Sequence, residues 1–173
     1  MKIYIAGALT HVPRGAIFEE HIAFIHALAE RLKDARHDVM YALVNSDPQL
    51  ATKPFEERAR LCYLWDRNMV EQADVIIAEA SFPSTGLGIE IQIAENKGTP
   101  IILAFRDFGM NKVDSVMYEN PDHTRHNLQV GDGFVTLMAL GVPTIFKIVR
   151  YSDSTQGLSK IVAAVDLLIQ DRK

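Results

Sequence analysis

The fold is decided by residues 73–105, which have the sequence ADVIIAEASFPSTGLGIEIQIAENKGTPIILAF. Apolar and β-branched residues fill 75–78 and 101–105, as is typical of strands that are buried on both faces. Between them, a turn-rich segment is followed by mixed apolar and polar residues, which predict a short helix over residues 89–96. Strand, loop, helix and strand form a βαβ unit, so the stretch predicts an α/β fold with parallel strands.

The rest of the chain repeats this alternation of strands and helices. Three further strands are predicted, over residues 2–6, 39–44 and 144–150. Three helices with apolar residues at helical spacing are predicted, over residues 16–32, 55–72 and 158–168. Residues 45–54 are predicted to be a loop and residues 107–126 an irregular polar segment. We therefore expect one domain over residues 1–173, doubly wound in the Rossmann or flavodoxin-like manner, with a mainly parallel sheet of about five strands.

Composition and charge exclude several classes of function. The formal net charge of −4 argues against a nucleic-acid groove or a protein that binds anionic membranes, because both are usually basic. Cys62 is the only cysteine, so no intrachain disulfide can form and a reducing, cytoplasmic location is expected. The apolar start of the chain is too short for a signal sequence or a membrane span, and we interpret it as a strand.

The sequence lacks the motifs of common cofactor and metal sites. Gly7 is not part of a G-x-G-x-x-G run, and neither the phosphate-binding P-loop pattern nor G-x-S-x-G occurs. The histidines form no H-E-x-x-H motif and have no cysteine partners, so we expect them on the surface or in loops. They are His11, His21, His26, His37, His123 and His126. We predict no cofactor and no metal.

The segment before the predicted helix carries candidate ligand-binding groups. In open parallel sheets, ligands bind beyond the carboxyl ends of the strands, which is where this segment lies. Gly86 and Gly88 would let the backbone approach a ligand and adopt positive φ angles. Amides at a helix start bind anions, and Ser84 and Thr85 add hydroxyl donors. The pattern suits a phosphate or a sugar hydroxyl, although an ordinary helix start has a similar composition.

Two carboxylates complete the candidate chemistry. Asp66 lies on the apolar face of the helix predicted over residues 55–72, where it would hold a proton or else pair with Arg67 or Arg106. Glu90 would lie in the first turn of its helix, where the helix dipole would keep it ionised. A proton donor beside an ionised nucleophile is the arrangement that breaks a glycosidic bond through a covalent sugar–enzyme intermediate.

Three consecutive segments resemble the nucleoside 2-deoxyribosyltransferase superfamily, and within it the 2'-deoxynucleoside 5'-phosphate N-hydrolases. They are DRNMVEQAD (66–74), VIIAE (75–79) and PSTGLGIE (83–90). The resemblance is strong over residues 66–105, fair over the first strand, and fades after Met117. It implies hydrolysis of the N-glycosidic bond of a nucleoside or its 5'-monophosphate.

The resemblance also implies roles for individual residues. Glu90 would be the nucleophile that attacks the anomeric carbon, and Asp66 would protonate the leaving base or orient Glu90. Tyr4 would contact the nucleophile or the sugar, and Ser84 would bind the 5'-phosphate. Ser115 would reach the phosphate site of a neighbouring subunit, which implies a homodimer with shared active sites.

The first loop departs from the family pattern. Family hydrolases have Gly-Ser-Ile-Arg after the first strand, where this chain has GALT at residues 7–10. Two phosphate donors are therefore missing, and Thr10, His11 or Arg14 would have to substitute. Gly7, Thr10, Gly86 and Gly88 complete the predicted substrate site. Three alternatives stay open: an unphosphorylated substrate, a transferase that exchanges bases, and a non-catalytic nucleotide sensor.

Overall fold

The computed structural model describes residues 1–172. These residues form seven strands: β1 (Lys2–Gly7), β2 (Asp38–Tyr41), β3 (Val75–Glu79), β4 (Ile101–Arg106), β5 (Met117–Glu119), β6 (Arg125–Asn127) and β7 (Ile145–Tyr151). The helices are α1 (Ala16–Asp34), α2 (Ala42–Asn45), α3 (Asp47–Leu50), α4 (Phe55–Gln72), α5 (Thr85–Lys97), α6 (Leu137–Leu140) and α7 (Ser154–Asp171). No helix within residues 1–172 combines the length and the apolar character needed to cross a membrane.

Five strands form one sheet in the order β2-β1-β3-β4-β7, and every neighbouring pair is parallel. The chain runs outward from β1 to β2 and then returns to place β3 on the other side of β1. Such a reversal is the topological switch point at which doubly wound sheets bind ligands. The predicted fold class, with its central parallel sheet of five strands, is confirmed.

Helices cover both faces of the sheet. On one face, α1 and α7 enclose a core that includes Phe24 and Val165. On the other face, α4 and α5 enclose a second core with Met69 and Ile91. Because strand side chains alternate between faces, Tyr4 of β1 points towards α4 and α5. The strand thereby places a tyrosine beneath the two helices that carry the candidate carboxylates.

Several predicted boundaries differ from the structure; α7, for example, begins at Ser154, four residues before its predicted start. At two boundaries beside the candidate site, local hydrogen bonds explain the difference. β2 ends at Tyr41, whose amide donates to the side chain of Asn45 at 3.0 Å and so closes a helical turn where a strand was expected. α5 begins at Thr85, four residues before its predicted start, because Ser84 Oγ accepts from the amide of Leu87 at 3.2 Å. The glycines of this segment therefore have helical backbone and not the expected positive φ.

Two further expectations fail. The segment predicted to be irregular contains the antiparallel hairpin β5–β6, whose residues are exposed on both faces and so lack an apolar alternation. His21 is not on the surface but fully buried on α1. Its Nε2 donates to the carbonyl of Ala8 at 2.9 Å, which satisfies one ring nitrogen in the core.

Candidate active site

A cavity of about 360 Å³ lies beside the carboxyl end of β1, between α4 and α5. The short helices α2 and α3 close its other side with Ser46, Asp47 and Leu50. Seven of the predicted site residues line this cavity: Tyr4, Gly7, Thr10, Asp66, Ser84, Gly86 and Glu90. The structure thus brings together side chains that are up to 86 residues apart in the sequence.

The shortest polar contact that the cavity walls make joins Tyr4 to Glu90. The Tyr4 hydroxyl donates to Glu90 Oε1 at 2.5 Å. Burial, together with the negative charges of Glu90 and Asp66, raises the pKa of the Tyr4 phenol far above its usual range. Tyr4 therefore remains a hydrogen-bond donor at every physiological pH, and it fixes one oxygen of the Glu90 carboxylate.

The Glu90 carboxyl group differs from its predicted state. Its helix begins at Thr85, so Glu90 lies in the second turn and gains less from the helix dipole than a residue of the first turn. Burial raises its pKa to about 7; the Tyr4 hydrogen bond lowers it in part, and the charge of Asp66 raises it further. The expected full ionisation is therefore wrong near neutral pH, because desolvation outweighs the dipole.

Asp66 is held by its own helix. Its Oδ2 accepts from the Cys62 thiol at 3.3 Å, one turn earlier on α4. Its Oδ1 is buried and has no hydrogen-bond partner within residues 1–172. The alternative pairings do not form, because Arg67 instead binds Glu71 at 2.7 Å and Arg106 binds a glutamate of α1. Asp66 therefore keeps one carboxylate oxygen whose hydrogen-bonding capacity the described residues do not satisfy.

The N-terminus of α5 supplies donors at another wall of the cavity. Ser84 Oγ accepts from the Leu87 amide, and its hydroxyl hydrogen is left free to donate. A Cβ at Gly86 would lie 3.7 Å from Ser84 Oγ, which is an ordinary contact. Gly86 is therefore not required by packing inside the protein, and its lack of a side chain leaves room in the cavity.

Positive charge is scarce at this site. Among the cavity-lining residues of the described chain, Arg67 is the one cationic side chain, and it is paired with Glu71. Arg14 lies on the adjacent β1–α1 loop, where its guanidinium donates to the carbonyls of Leu9 and Thr10 at 3.4 and 3.3 Å. Both of those residues line the cavity, and Arg14 is an exposed cation on the same loop.

Two predicted site residues, Gly88 and Ser115, do not line this cavity. Gly88 lines a separate groove between α5 and residues 136–143. Ser115 is exposed, and its hydroxyl donates to the carbonyl of Leu128 at 2.7 Å. The role of Ser115 in a neighbouring subunit, and with it the homodimer, stays a prediction.

Sequence reasoning missed two features of the cavity. Cys62 was placed on the face of Asp66 by its i, i+4 spacing, but its contact with the carboxylate was not predicted. The wall formed by α2 and α3 was predicted to be a strand end and a loop. The side chain of Asn45, which closes the first turn, was the local signal for helical structure there.

Comparison with known proteins gives matches of two kinds, to related sequences and to solved structures. No protein-family model matches the chain. A protein from Thermofilum pendens with the provisional name 2'-deoxynucleoside 5'-phosphate N-hydrolase 1 is 27% identical over 162 residues, covering 93% of this chain and 92% of that protein. A protein of the same provisional name from Syntrophotalea carbinolica is 32% identical over 62 residues, or 36% of this chain and 44% of that protein.

Among solved structures, the CMP N-glycosidase of Clostridium botulinum superposes with a TM-score of 0.57 at 17% identity, over 94% of this chain and 98% of that one. At this level of identity the superposition supports the fold alone. The relatives from Thermofilum pendens and Syntrophotalea carbinolica confirm the resemblance to 2'-deoxynucleoside 5'-phosphate N-hydrolases that the segments between Asp66 and Glu90 indicated.

Proposed function

We propose that this protein is an enzyme that hydrolyses the N-glycosidic bond of a nucleoside 5'-monophosphate or a nucleoside. The observation that carries the proposal is the contact of Tyr4 with Glu90, at 2.5 Å, in the wall of a cavity that Asp66 also lines. The named N-hydrolases among the relatives support the same class of reaction. Glu90 would be the nucleophile and Asp66 the proton donor.

The reaction would proceed by two displacements at the anomeric carbon. In the first, with Asp66 protonated in the substrate complex, the Glu90 carboxylate forms a bond to this carbon while the bond to the base nitrogen breaks, and the departing base takes the proton of Asp66. In the second, water attacks the sugar ester, returns a proton to Asp66 and frees Glu90. Sugar, or sugar phosphate, and free base are the products.

Tyr4 would position the nucleophile. Its hydroxyl donates to Oε1 of Glu90, so Oε2 is the oxygen left to attack. The hydrogen bond also favours the ionised form of Glu90, because a donated proton stabilises a carboxylate more than a carboxylic acid. An ionised nucleophile can therefore persist in a partly buried site at neutral pH.

The α5 N-terminus would receive the sugar and its 5' substituent. Ser84, Gly86 and Thr10 line this part of the cavity, and free amides of a helix start bind phosphate. Arg14 would reinforce a phosphate if it released the two loop carbonyls that it binds. This departure from the family pattern keeps the unphosphorylated nucleoside as the alternative substrate.

The test is a panel of nucleosides and 5'-monophosphates, scored by chromatography for free base, with and without a second base. Wild-type protein should release base, and the Glu90→Gln variant should not. Glu95→Gln is the matched control, because it neutralises a carboxylate of the same helix that does not line the cavity. Formation of the exchanged nucleoside would show a transferase instead, and saturable binding without base release would show a sensor.

A further inference from the structure

Cys62 makes a contact within the cavity to which the proposed reaction assigns no role. Its thiol and the Asp66 carboxylate lie one turn apart on α4, and both line the cavity. The thiol donates to Oδ2 at 3.3 Å, while Oδ1 receives no hydrogen bond from the described residues. Because side chains at i and i+4 share a helix face, the helix alone sets this pair.

We propose that Cys62 is a positioning residue for Asp66, an inference that rests on the proposed function. The thiol occupies Oδ2 and thereby holds the carboxyl group in one orientation. Oδ1 is then the oxygen that meets the leaving base. Without the thiol, rotation about the Asp66 side chain would exchange the two oxygens, and the proton donor would spend less time in the productive orientation.

A thiol suits this position because of its chemistry. Burial, the charge of Asp66 and the hydrogen bond raise the pKa of Cys62 to about 12, so the group stays protonated and uncharged. It therefore donates to Asp66 without adding a charge to a cavity that already contains Asp47, Asp66 and Glu90. A protonated thiol is also a poor nucleophile, so Cys62 itself is not expected to attack the substrate.

Three substitutions separate the hydrogen bond that the Cys62 thiol donates from the volume that its side chain fills. Cys62→Ala removes both, Cys62→Val restores the volume without a donor, and Cys62→Ser restores a donor. We expect the Ala and Val variants to lose roughly three- to tenfold in kcat with little change in KM, and the Ser variant to retain most of it. Wild-type kcat in the Val variant, or a Ser variant as slow as Ala, would overturn the proposal.

A second measurement tests the contact without turnover. Cys62 is the only cysteine, so the rate of thiol alkylation by iodoacetamide reports on it alone. At a pH of about 8.5, the ordinary pKa of a free thiol, Asp66→Asn should react faster than wild type because the charge that holds the proton is gone. Glu71→Gln, on the exposed side of the same helix, should leave the rate unchanged.

Equal alkylation rates in the wild type and Asp66→Asn would overturn the proposed contact. The two proposals can also fail separately. If the wild-type protein releases no base from any substrate of the panel, the proposed function fails, whereas the alkylation rates still test the pairing of Cys62 with Asp66. If the wild type releases base and the Cys62→Val variant matches its kcat, only the positioning role fails.

Discussion

Two glutamates of this protein accept a hydrogen bond from a buried tyrosine, and their surroundings differ. Glu90 accepts from Tyr4 at 2.5 Å and lines a cavity. Glu79 accepts from Tyr151 at 2.9 Å and is completely enclosed. Burial raises the pKa of both carboxyl groups. A glutamate–tyrosine pair with a perturbed pKa is therefore not by itself a candidate active site. Glu90 is a candidate because it also lines a cavity that could hold a substrate.

The enclosed pair has a structural role. Glu79 also accepts from the Ser81 hydroxyl, and its second oxygen lies 3.5 Å from Nδ1 of His21. His21 in turn donates to the carbonyl of Ala8. The cluster thereby joins the carboxyl ends of β1, β3 and β7, next to the loops that form one side of the cavity. Glu79 supports the frame in which Glu90 is held.

The largest expected effect is the loss of activity on changing Glu90, the glutamate that lines the cavity. Glu90→Gln keeps an acceptor for Tyr4 but removes the nucleophilic oxygen, so kcat for base release should fall by about three orders of magnitude or more. The measurement is single-turnover base release from the best substrate of the panel. Near wild-type hydrolysis by this variant would remove Glu90 from the mechanism.

The enclosed glutamate should instead control stability. Glu79→Ala leaves the hydroxyls of Tyr151 and Ser81 without their shared acceptor, so the free energy of unfolding should fall by about 3 kcal/mol. Urea denaturation followed by circular dichroism measures it. A fully stable Glu79→Ala variant would mean that the cluster contributes nothing to the fold, and the contrast between the two pairs would be lost.

The two tyrosines should differ in the same way. Tyr4→Phe removes the hydrogen bond that stabilises ionised Glu90, so kcat/KM should fall roughly ten- to hundredfold. In the wild type, the limb of the pH profile that reports ionisation of Glu90 should rise with pH around the Glu90 pKa of about 7, and in Tyr4→Phe this limb should move to higher pH. Tyr151→Phe should lower the free energy of unfolding and leave the rising limb of the pH profile unshifted. An unmoved limb in Tyr4→Phe would separate Tyr4 from the ionisation of Glu90.

Sequence alone predicted the central sheet and seven of the residues that line the cavity, because both depend on local patterns. The apolar runs fixed the strands of the sheet, and the spacing from Asp66 to Glu90 indicated the site. The charge state of Glu90 could not be predicted, because desolvation depends on how α4 and β1 pack around it. The burial of His21 was missed for the same reason, since its partners Ala8 and Glu79 belong to other elements.

The last expected effect concerns the pH dependence of stability, and it isolates the burial of Glu90. The folded-state pKa of Glu90, about 7, lies above its usual 4.5, so the folded protein binds this proton more tightly than the unfolded chain. The free energy of unfolding should therefore decrease as pH rises from about 4.5 to about 7 and stay lower above that. Glu90→Gln should lose this part of the decrease and keep the part that Glu79 contributes with the same sign.

Urea unfolding of both proteins on either side of this pH window measures the difference. The stability of Glu90→Gln relative to the wild type should increase across the window. The reason is that Gln stays uncharged, whereas Glu90 must ionise in a site with little water. Parallel stability curves would mean that Glu90 ionises in the folded protein as easily as in water. That result would contradict the desolvation of Glu90 that the raised pKa indicates.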